Sequence, residues 1–372
     1  MKIGIDVRLW NETGVGRYIR NLVSNLQTID RNNDYVLFAN KNFKFQFSSI
    51  KNDKWKIVET DIHWHSVSEQ LKFPQIINKE NLDLVHFPYF SLPIFYNKPF
   101  VVTIHDLIID HFSTGKASTL PYPLYLLKRI GYKTVMNNAV KNSQRIIVPL
   151  NSVKEDLMKT YRVAEDKVIV TYEGCSKLKT QNSKLQFKAQ SYFLYVGNAY
   201  PHKNLDFLIK AFTEFKKEME DDIKLVLIGN DDYFYKRLRN KIEKENLANV
   251  LLVHDVSDRE LFNLYANAIA FVSASKMEGF GLPPLEAMSS SCPVLLSDIP
   301  SFKEVCRDAA FYFDFNSKNS LKEKMSLVYN LDSKEKQKYI RKGLERVEDF
   351  SWKKMAEETL KVYESCPSAS SG

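Results

Sequence analysis

Short apolar runs recur along the chain, and most are followed by a stretch in which apolar residues return every three or four positions. Residues 2–7, 35–38, 55–58, 83–87, 100–104, 145–148 and 168–172 have the length and composition of strands. Segments of helical period lie between several of them, at 16–27, 67–78, 121–142 and 152–161. Strands that are apolar throughout and joined by helices predict a parallel sheet covered on both faces.

The alternation pauses near Gly174, and residues 177–190 are polar and without period, as in a linker. A second series then follows, with strands at 192–196, 224–228, 250–253, 269–272, 294–297 and 310–313. Charged helices at 317–331, 333–347 and 351–364 finish the chain, the last with Ser351 as N-cap and Trp352 as a large anchor. The expected organisation is a Rossmann-like domain over 1–176, a linker at 177–190 and a second such domain over 191–350. A helix at 351–365 is expected to pack back on the first domain, ahead of a disordered tail at 366–372. Two doubly wound α/β domains of this kind face each other across a cleft, and ligands bind outside the carboxyl ends of such strands.

Composition narrows the class. A chain of 372 residues with 44% hydrophobic and 26% charged residues can bury two full cores and is an ordinary globular protein. The formal net charge of +8 points to an anionic partner. The lysines are scattered along helical patterns and no nucleic-acid-binding pattern is present, so diphosphate ligands and acidic lipid headgroups fit better than nucleic acid. Cys175, Cys292, Cys306 and Cys366 show no paired spacing, which suggests a reduced, cytoplasmic setting. Met1-Lys2 runs directly into a strand pattern and no long uncharged apolar run occurs, so neither a signal segment nor a membrane span is expected.

The densest chemistry lies at Ser275-Lys276-Met277-Glu278-Gly279-Phe280-Gly281-Leu282-Pro283-Pro284-Leu285-Glu286. Two carboxylates eight residues apart bracket a Gly-x-Gly loop, and Pro283 or Pro284 suits the first turn of a helix. Glu278 is expected on the loop and Glu286 in the first helical turns. Gly279 and Gly281 admit positive φ and close approach of a ligand, while a helix start favours an anion such as phosphate. Carboxylates accept paired bonds from vicinal hydroxyls, so the loop suits a molecule that is part sugar and part phosphate. An ordinary strand-turn-helix with a solvated Glu278 is the plain alternative.

Three further stretches carry polar residues at strand ends. After the first strand comes Thr13-Gly14-Val15-Gly16-Arg17-Tyr18. Ile19 stands where a dinucleotide fingerprint needs glycine and Ala39-Asn40 where it needs an acid, which disfavours a nicotinamide-dependent oxidoreductase. Thr103-Ile104-His105-Asp106-Leu107 places His105 where it could donate to a sugar hydroxyl or stabilise developing charge. Val196-Gly197-Asn198-Ala199-Tyr200-Pro201-His202-Lys203-Asn204-Leu205 puts Lys203 ahead of a helix that Asn204 is expected to cap, an arrangement favourable when an anion sits between. His63-Trp64-His65 with Glu69 has the spacing of a thin metal site, and Asn230-Asp231-Asp232 is only a loose approach to an acidic metal motif.

Together these stretches resemble the retaining glycosyltransferases of the GT-B fold, in particular the family 4 type that includes bacterial mannosyltransferases of polysaccharide and O-antigen assembly. The likeness runs from Gly14-Val15-Gly16-Arg17-Tyr18 to Phe350-Ser351-Trp352, and its most specific piece is the E-x7-E motif of Glu278 and Glu286. Tyr172-Glu173-Gly174 and the stretch around Lys203 add to it. The resemblance implies that Gly16, with Gly14, brings backbone to the donor diphosphate, that Lys203 stabilises the leaving nucleoside diphosphate, and that His105 contacts the transferred sugar. It implies that Glu278 with the backbone of Gly279, Phe280 and Gly281 holds the donor sugar hydroxyls, that Glu286 accepts from the ribose, and that Asn198, His202 and Leu282 complete the donor site. No metal or other cofactor is implied, and the first domain would bind the acceptor.

The chain departs from the family where arginines often stand, near Asn198 and at His202, which leaves Lys203 as the sure phosphate cation unless His202 is protonated. The implied reaction is transfer of a hexose from GDP-mannose to a glycan or polyprenyl-diphosphate-linked acceptor, by a same-face route in which the leaving phosphate helps deprotonate the acceptor hydroxyl. A UDP- or dTDP-sugar donor, a nucleotide-sugar 2-epimerase of the same fold, and a non-catalytic nucleotide-sugar-binding protein are the competing readings. Residues 109–133, with Phe112, Tyr122, Tyr125, Lys128, Arg129 and Tyr132, could form an acceptor face or a surface for peripheral association with the cytoplasmic face of an anionic inner membrane.

Overall fold

The computed structural model describes residues 1–41, 53–112, 121–175 and 191–367, which form two α/β units, each around a parallel sheet. The expected linker at 177–190 lies outside the described residues. The first unit takes in Met1–Leu107, then 121–174 and, after the second unit, 351–367. Its strands are β1 (Lys2–Asp6), β2 (Asp34–Asn40), β3 (Trp55–Thr60), β4 (Leu84–Phe87), β5 (Phe100–Thr103), β6 (Arg145–Val148) and β7 (Val168–Val170). They lie in the order β3-β2-β1-β4-β5-β6-β7, all parallel, and the order reverses between β1 and β4. β4 and β5 are buried at every position, as strands covered on both faces must be.

The helix Gly14–Ile29 buries Tyr18, Ile19, Leu22, Val23 and Leu26, one stripe of its surface. Its neighbour is the last helix, Trp352–Glu364, which buries Trp352, Met355, Ala356, Thr359, Val362 and Tyr363 and is capped by the Ser351 hydroxyl on the Lys354 amide. Each large apolar side chain buried there contributes about 1.5–3 kcal/mol. The Tyr363 hydroxyl bonds His86 Nδ1 on β4 at 2.6 Å, so the end of the chain is tied into the first sheet. A Cβ at Gly174 would fall 2.2 Å from the Trp352 amide nitrogen, so only glycine allows this helix start to sit so close. Cys366, assigned by composition to the tail, is buried, with its amide on the Tyr363 carbonyl.

The second unit comprises 108–112, Cys175 and 191–350 of the described chain. Its strands are β8 (Ser191–Val196), β9 (Ile223–Ile228), β10 (Val250–Val253), β11 (Ala270–Ser273), β12 (Val294–Ser297) and β13 (Phe311–Phe313). They are parallel, in the order β10-β9-β8-β11-β12-β13, and here the reversal falls between β8 and β11. Phe193, Leu225, Leu227 and Val272 meet Leu208, Phe212 and Phe215 of the helix Leu205–Lys217 in its core.

Two expectations are corrected. The segment 67–78 is two short helices, Val67–Leu71 and Phe73–Asn78, because Pro74 cannot continue a helix and opens a new one instead. The stretch 109–133 is divided between the units: 108–112 belong to the second, where the Phe112 ring lies 5.9 Å from that of His202, and the helix Tyr122–Asn142 belongs to the first.

Candidate active-site residues in each unit

A reversal in strand order leaves the loops after the two flanking strands diverging to opposite faces, and ligands of doubly wound sheets bind there. In the second unit those loops follow β8 and β11 and carry Lys203 and Glu278. The chain leaves β8 through Gly197, whose φ of +152° puts it in a region open to glycine. Two tyrosines hold this turn. The Tyr235 hydroxyl donates to the Gly197 carbonyl at 2.8 Å and the Tyr195 hydroxyl to the Asn198 carbonyl at 2.7 Å. A single helical turn, Pro201–Lys203, follows, and Asn204 takes a left-handed conformation, φ +58°, to enter the helix Leu205–Lys217. Asn204 makes no side-chain cap, contrary to expectation, because capping side chains reach the first amides from an extended backbone and Asn204 is left-handed.

After β11 the Lys276 amide donates to the His202 carbonyl at 2.8 Å, which ties the two loops together. Lys203 Nζ then reaches both oxygens of Glu278, at 2.7 and 2.8 Å, although the residues are 75 apart in the chain. The Ser275 hydroxyl adds a bond of 2.6 Å to Glu278 Oε1, and Ser273 supports Ser275 at 3.0 Å. Burial works to raise the Glu278 carboxyl, but the Lys203 charge and the bonds from Lys203 and Ser275 prevail and hold it below the ordinary range. His202 is buried, and burial together with the Lys203 charge pushes its imidazole down to about 4. It is therefore neutral at pH 7 in this arrangement, beside the charge of Lys203.

Of the two glycines in this loop, Gly281 uses positive φ, at +95°, in the N-cap position of the helix Leu282–Ser289, and Gly279 does not. A Cβ at 281 would meet the Phe302 ring at 3.0 Å. Phe280 is buried and stacks edge-on against Phe350, so only its backbone remains for a ligand. Leu282 is the first residue of the helix, and Glu286 lies buried in its second turn, accepting from the Tyr265 hydroxyl at 3.2 Å.

In the first unit, His105 follows β5 and sits with Tyr18 edge-on at 4.9 Å. Nδ1 lies 3.0 Å from Glu173 Oε1 and Nε2 3.0 Å from the Pro88 carbonyl oxygen. Both nitrogens are engaged within the protein in this arrangement, which leaves stabilisation of developing charge as the expected role that fits it. Gly14 and Gly16 open the helix Gly14–Ile29, and a Cβ on Gly16 would lie 2.5 Å from the Trp10 carbonyl oxygen. Gly16 is thus demanded by contact with the preceding loop, and neither glycine has positive φ. The metal-like spacing at His63 and His65 dissolves, because Glu69 is taken by Arg8 at 2.6 Å and by Ser91, and no group of metal-ligating residues occurs among the described residues.

Sequence reasoning assigned no role to Ser275 or Glu173. Glu173 ends the segment after β7 as His105 ends that after β5, and this shared strand-end position was the available signal. Two parallel doubly wound units are the architecture of the GT-B fold, and in the second of them Lys203 and Glu278 gather beyond the strands that flank the reversal. The profile of glycosyltransferase family 4 matches residues 13–176 and that of glycosyl transferases group 1 residues 176–346. The O-antigen chain mannosyltransferase RfbU of Salmonella typhimurium is 31% identical over 258 residues, covering 69% of this chain and 68% of its own. The O-antigen chain mannosyltransferase B of Escherichia coli is 25% identical over 94% of this chain and 96% of its own. In fold, Anabaena HepE, solved with UDP and glucose, superposes with a TM-score of 0.75 at 15% identity, over 98% of this chain and 100% of its own. The chain belongs to this glycosyltransferase family and is a sugar-transferring enzyme.

Proposed function

We propose that this enzyme transfers mannose from GDP-mannose, with retention, to a hydroxyl of a glycan or polyprenyl-diphosphate-linked acceptor in cell-surface polysaccharide assembly. The observation that carries the reading is the pairing of Lys203 with Glu278 beyond β8 and β11. A lysine is a compact charge on a flexible stem and exchanges partners readily. An incoming diphosphate, with more charge than one carboxylate, draws Lys203 away and frees Glu278 to accept from the sugar hydroxyls. Lys203 then stabilises the charge that builds on the leaving diphosphate. The Gly281 turn opens backbone to the donor, and Glu286 serves the ribose. Lys203 supplies positive charge of the kind a divalent cation provides elsewhere, so transfer is expected to survive EDTA.

The names of the two mannosyltransferase relatives support mannose as the sugar. The UDP-glucose complex of HepE supports a uridine donor as the second reading. A thermal-shift screen of nucleotide sugars followed by donor consumption tests both. Stabilisation by GDP and consumption of GDP-mannose are expected, and a response to UDP-sugars alone would replace the donor.

No described helix is long and apolar enough to cross a membrane. The helix Tyr122–Asn142 exposes Leu124, Leu127 and Ile130 at 51, 65 and 64%, three residues apart on one face, beside Lys128 and Arg129. Apolar residues flanked by lysine and arginine suit the surface of an anionic bilayer, and peripheral attachment there would bring the enzyme to a lipid-linked acceptor. Co-sedimentation with phosphatidylglycerol vesicles is expected, weakened by Leu127→Glu. Equal sedimentation of that variant would remove the attachment from this helix.

A further inference from the structure

Both ring nitrogens of His105 face acceptors. A main-chain carbonyl has no proton to give, so Nε2, opposite Pro88, carries one. An ionised carboxylate likewise only accepts, so Nδ1 carries a proton too unless the carboxyl of Glu173 holds it. On the ring that proton makes an ion pair with the carboxylate, while Nε2 keeps its own bond to the Pro88 carbonyl. The other groups around the ring agree with a charged imidazole. Tyr18 packs its ring against His105 but turns its hydroxyl to Thr103 at 3.3 Å. Asp106, next in the chain, adds negative charge. His86, bonded to Thr103 and Tyr363, is pushed by burial down to about 3 and adds no positive charge. Burial opposes charge on His105, but the Glu173 bond and charge, the Pro88 carbonyl and Asp106 together raise its pKa.

We infer that Glu173 is a positioning residue: with the Pro88 carbonyl it fixes the His105 ring with a proton on each nitrogen, so that His105 serves transfer as a stationary cation and not as a proton acceptor. The kinetic part of this inference rests on the transfer reading given above. A fixed imidazolium stabilises negative charge without reorganising as the charge develops. It also leaves the acceptor proton to another base, for which the leaving phosphate is available.

The test has two arms on the full chain. Nitrogen-15 NMR of the imidazoles, assigned with His105→Gln, should show both His105 nitrogens protonated at pH 7 in the wild type. In Glu173→Gln the charge that holds the proton is gone, burial prevails, and the ring should become neutral at pH 7. A wild-type ring that is neutral at pH 7 overturns the inference whatever the donor is. In the second arm, Glu173→Gln should lose about tenfold or more in kcat/KM at pH 8 and recover as the pH falls and the ring regains its proton. The wild type should hold its rate to higher pH than the variant, and Glu173→Asp should restore most of the rate at pH 8. A loss equal at every pH, not rescued by aspartate, would mean that Glu173 only supports the fold and would also overturn the inference. Failure to find any consumed donor would strike the transfer reading alone, since the NMR arm stands without it.

Discussion

Each unit pairs a basic side chain with a carboxylate, and the two pairs differ in how firmly they are held. His105 and Glu173 are 12 and 6% exposed, and every hydrogen-bonding atom of the imidazole is committed, to one carboxylate and one main-chain carbonyl. A rigid ring with both nitrogens engaged has no second arrangement at hand. Lys203 and Glu278 are somewhat more exposed, at 17 and 12%, and the ammonium sits on a four-carbon stem beyond a single helical turn. It can release Glu278 for a stronger anion by rotating a few bonds. On the proposed reading the first pair is a fixture and the second an exchangeable contact, and of the two only the second sits beyond the two strands that flank a reversal of order.

The contrast can be broken in several ways, the most damaging first. Glu278→Gln should reduce transfer about 100- to 1000-fold, because a group that acts on the sugar in the transition state is lost. The same variant should bind nucleoside diphosphate at least as tightly as the wild type, since Lys203 no longer has to leave a charged partner. Weaker binding in Glu278→Gln would mean that the pair is as fixed as that of His105. Next in size is the pH-dependent loss in Glu173→Gln, which separates a fixture from an exchangeable contact within the first unit. Glu286→Gln should raise donor KM about tenfold with kcat changed less than about twofold, as expected for uniform binding of the ribose. Steady-state kinetics with varied donor measure this, and an equal fall in kcat would place Glu286 in the chemical step. The smallest effect is structural. Gly281→Ala puts a side chain at φ +95° and 3.0 Å from the Phe302 ring, which costs about 1–3 kcal/mol and should lower the melting temperature by a few degrees.

The fold was legible because its central strands, such as β4, β5, β11 and β12, are buried on both faces. The predicted runs 35–38 and 250–253 fall on β2 and β10, and most boundaries agree within two residues. Misplacement came from local chemistry, as at Pro74, where one helical period hides two helices. The loop at 275–286 was visible for the reason that it is local, a strand, a glycine turn and Pro283 in the first helical turn. What stayed hidden was pairing at long range. Nothing in the stretch around Lys203 names Glu278 as its partner, and nothing around His105 names Glu173, 68 positions later. Neutrality of His202 was equally hidden, because it follows from burial beside Lys203 and not from its neighbours in sequence.

The central claim is that Lys203 exchanges Glu278 for the diphosphate of the donor. Isothermal titration of the wild type and Lys203→Met tests it, using the nucleoside diphosphate selected by the donor screen and the matching monophosphate. The account predicts that the wild type prefers the diphosphate, that this preference disappears in Lys203→Met, and that turnover falls with it. A variant that keeps both the preference and near wild-type turnover would contradict the account.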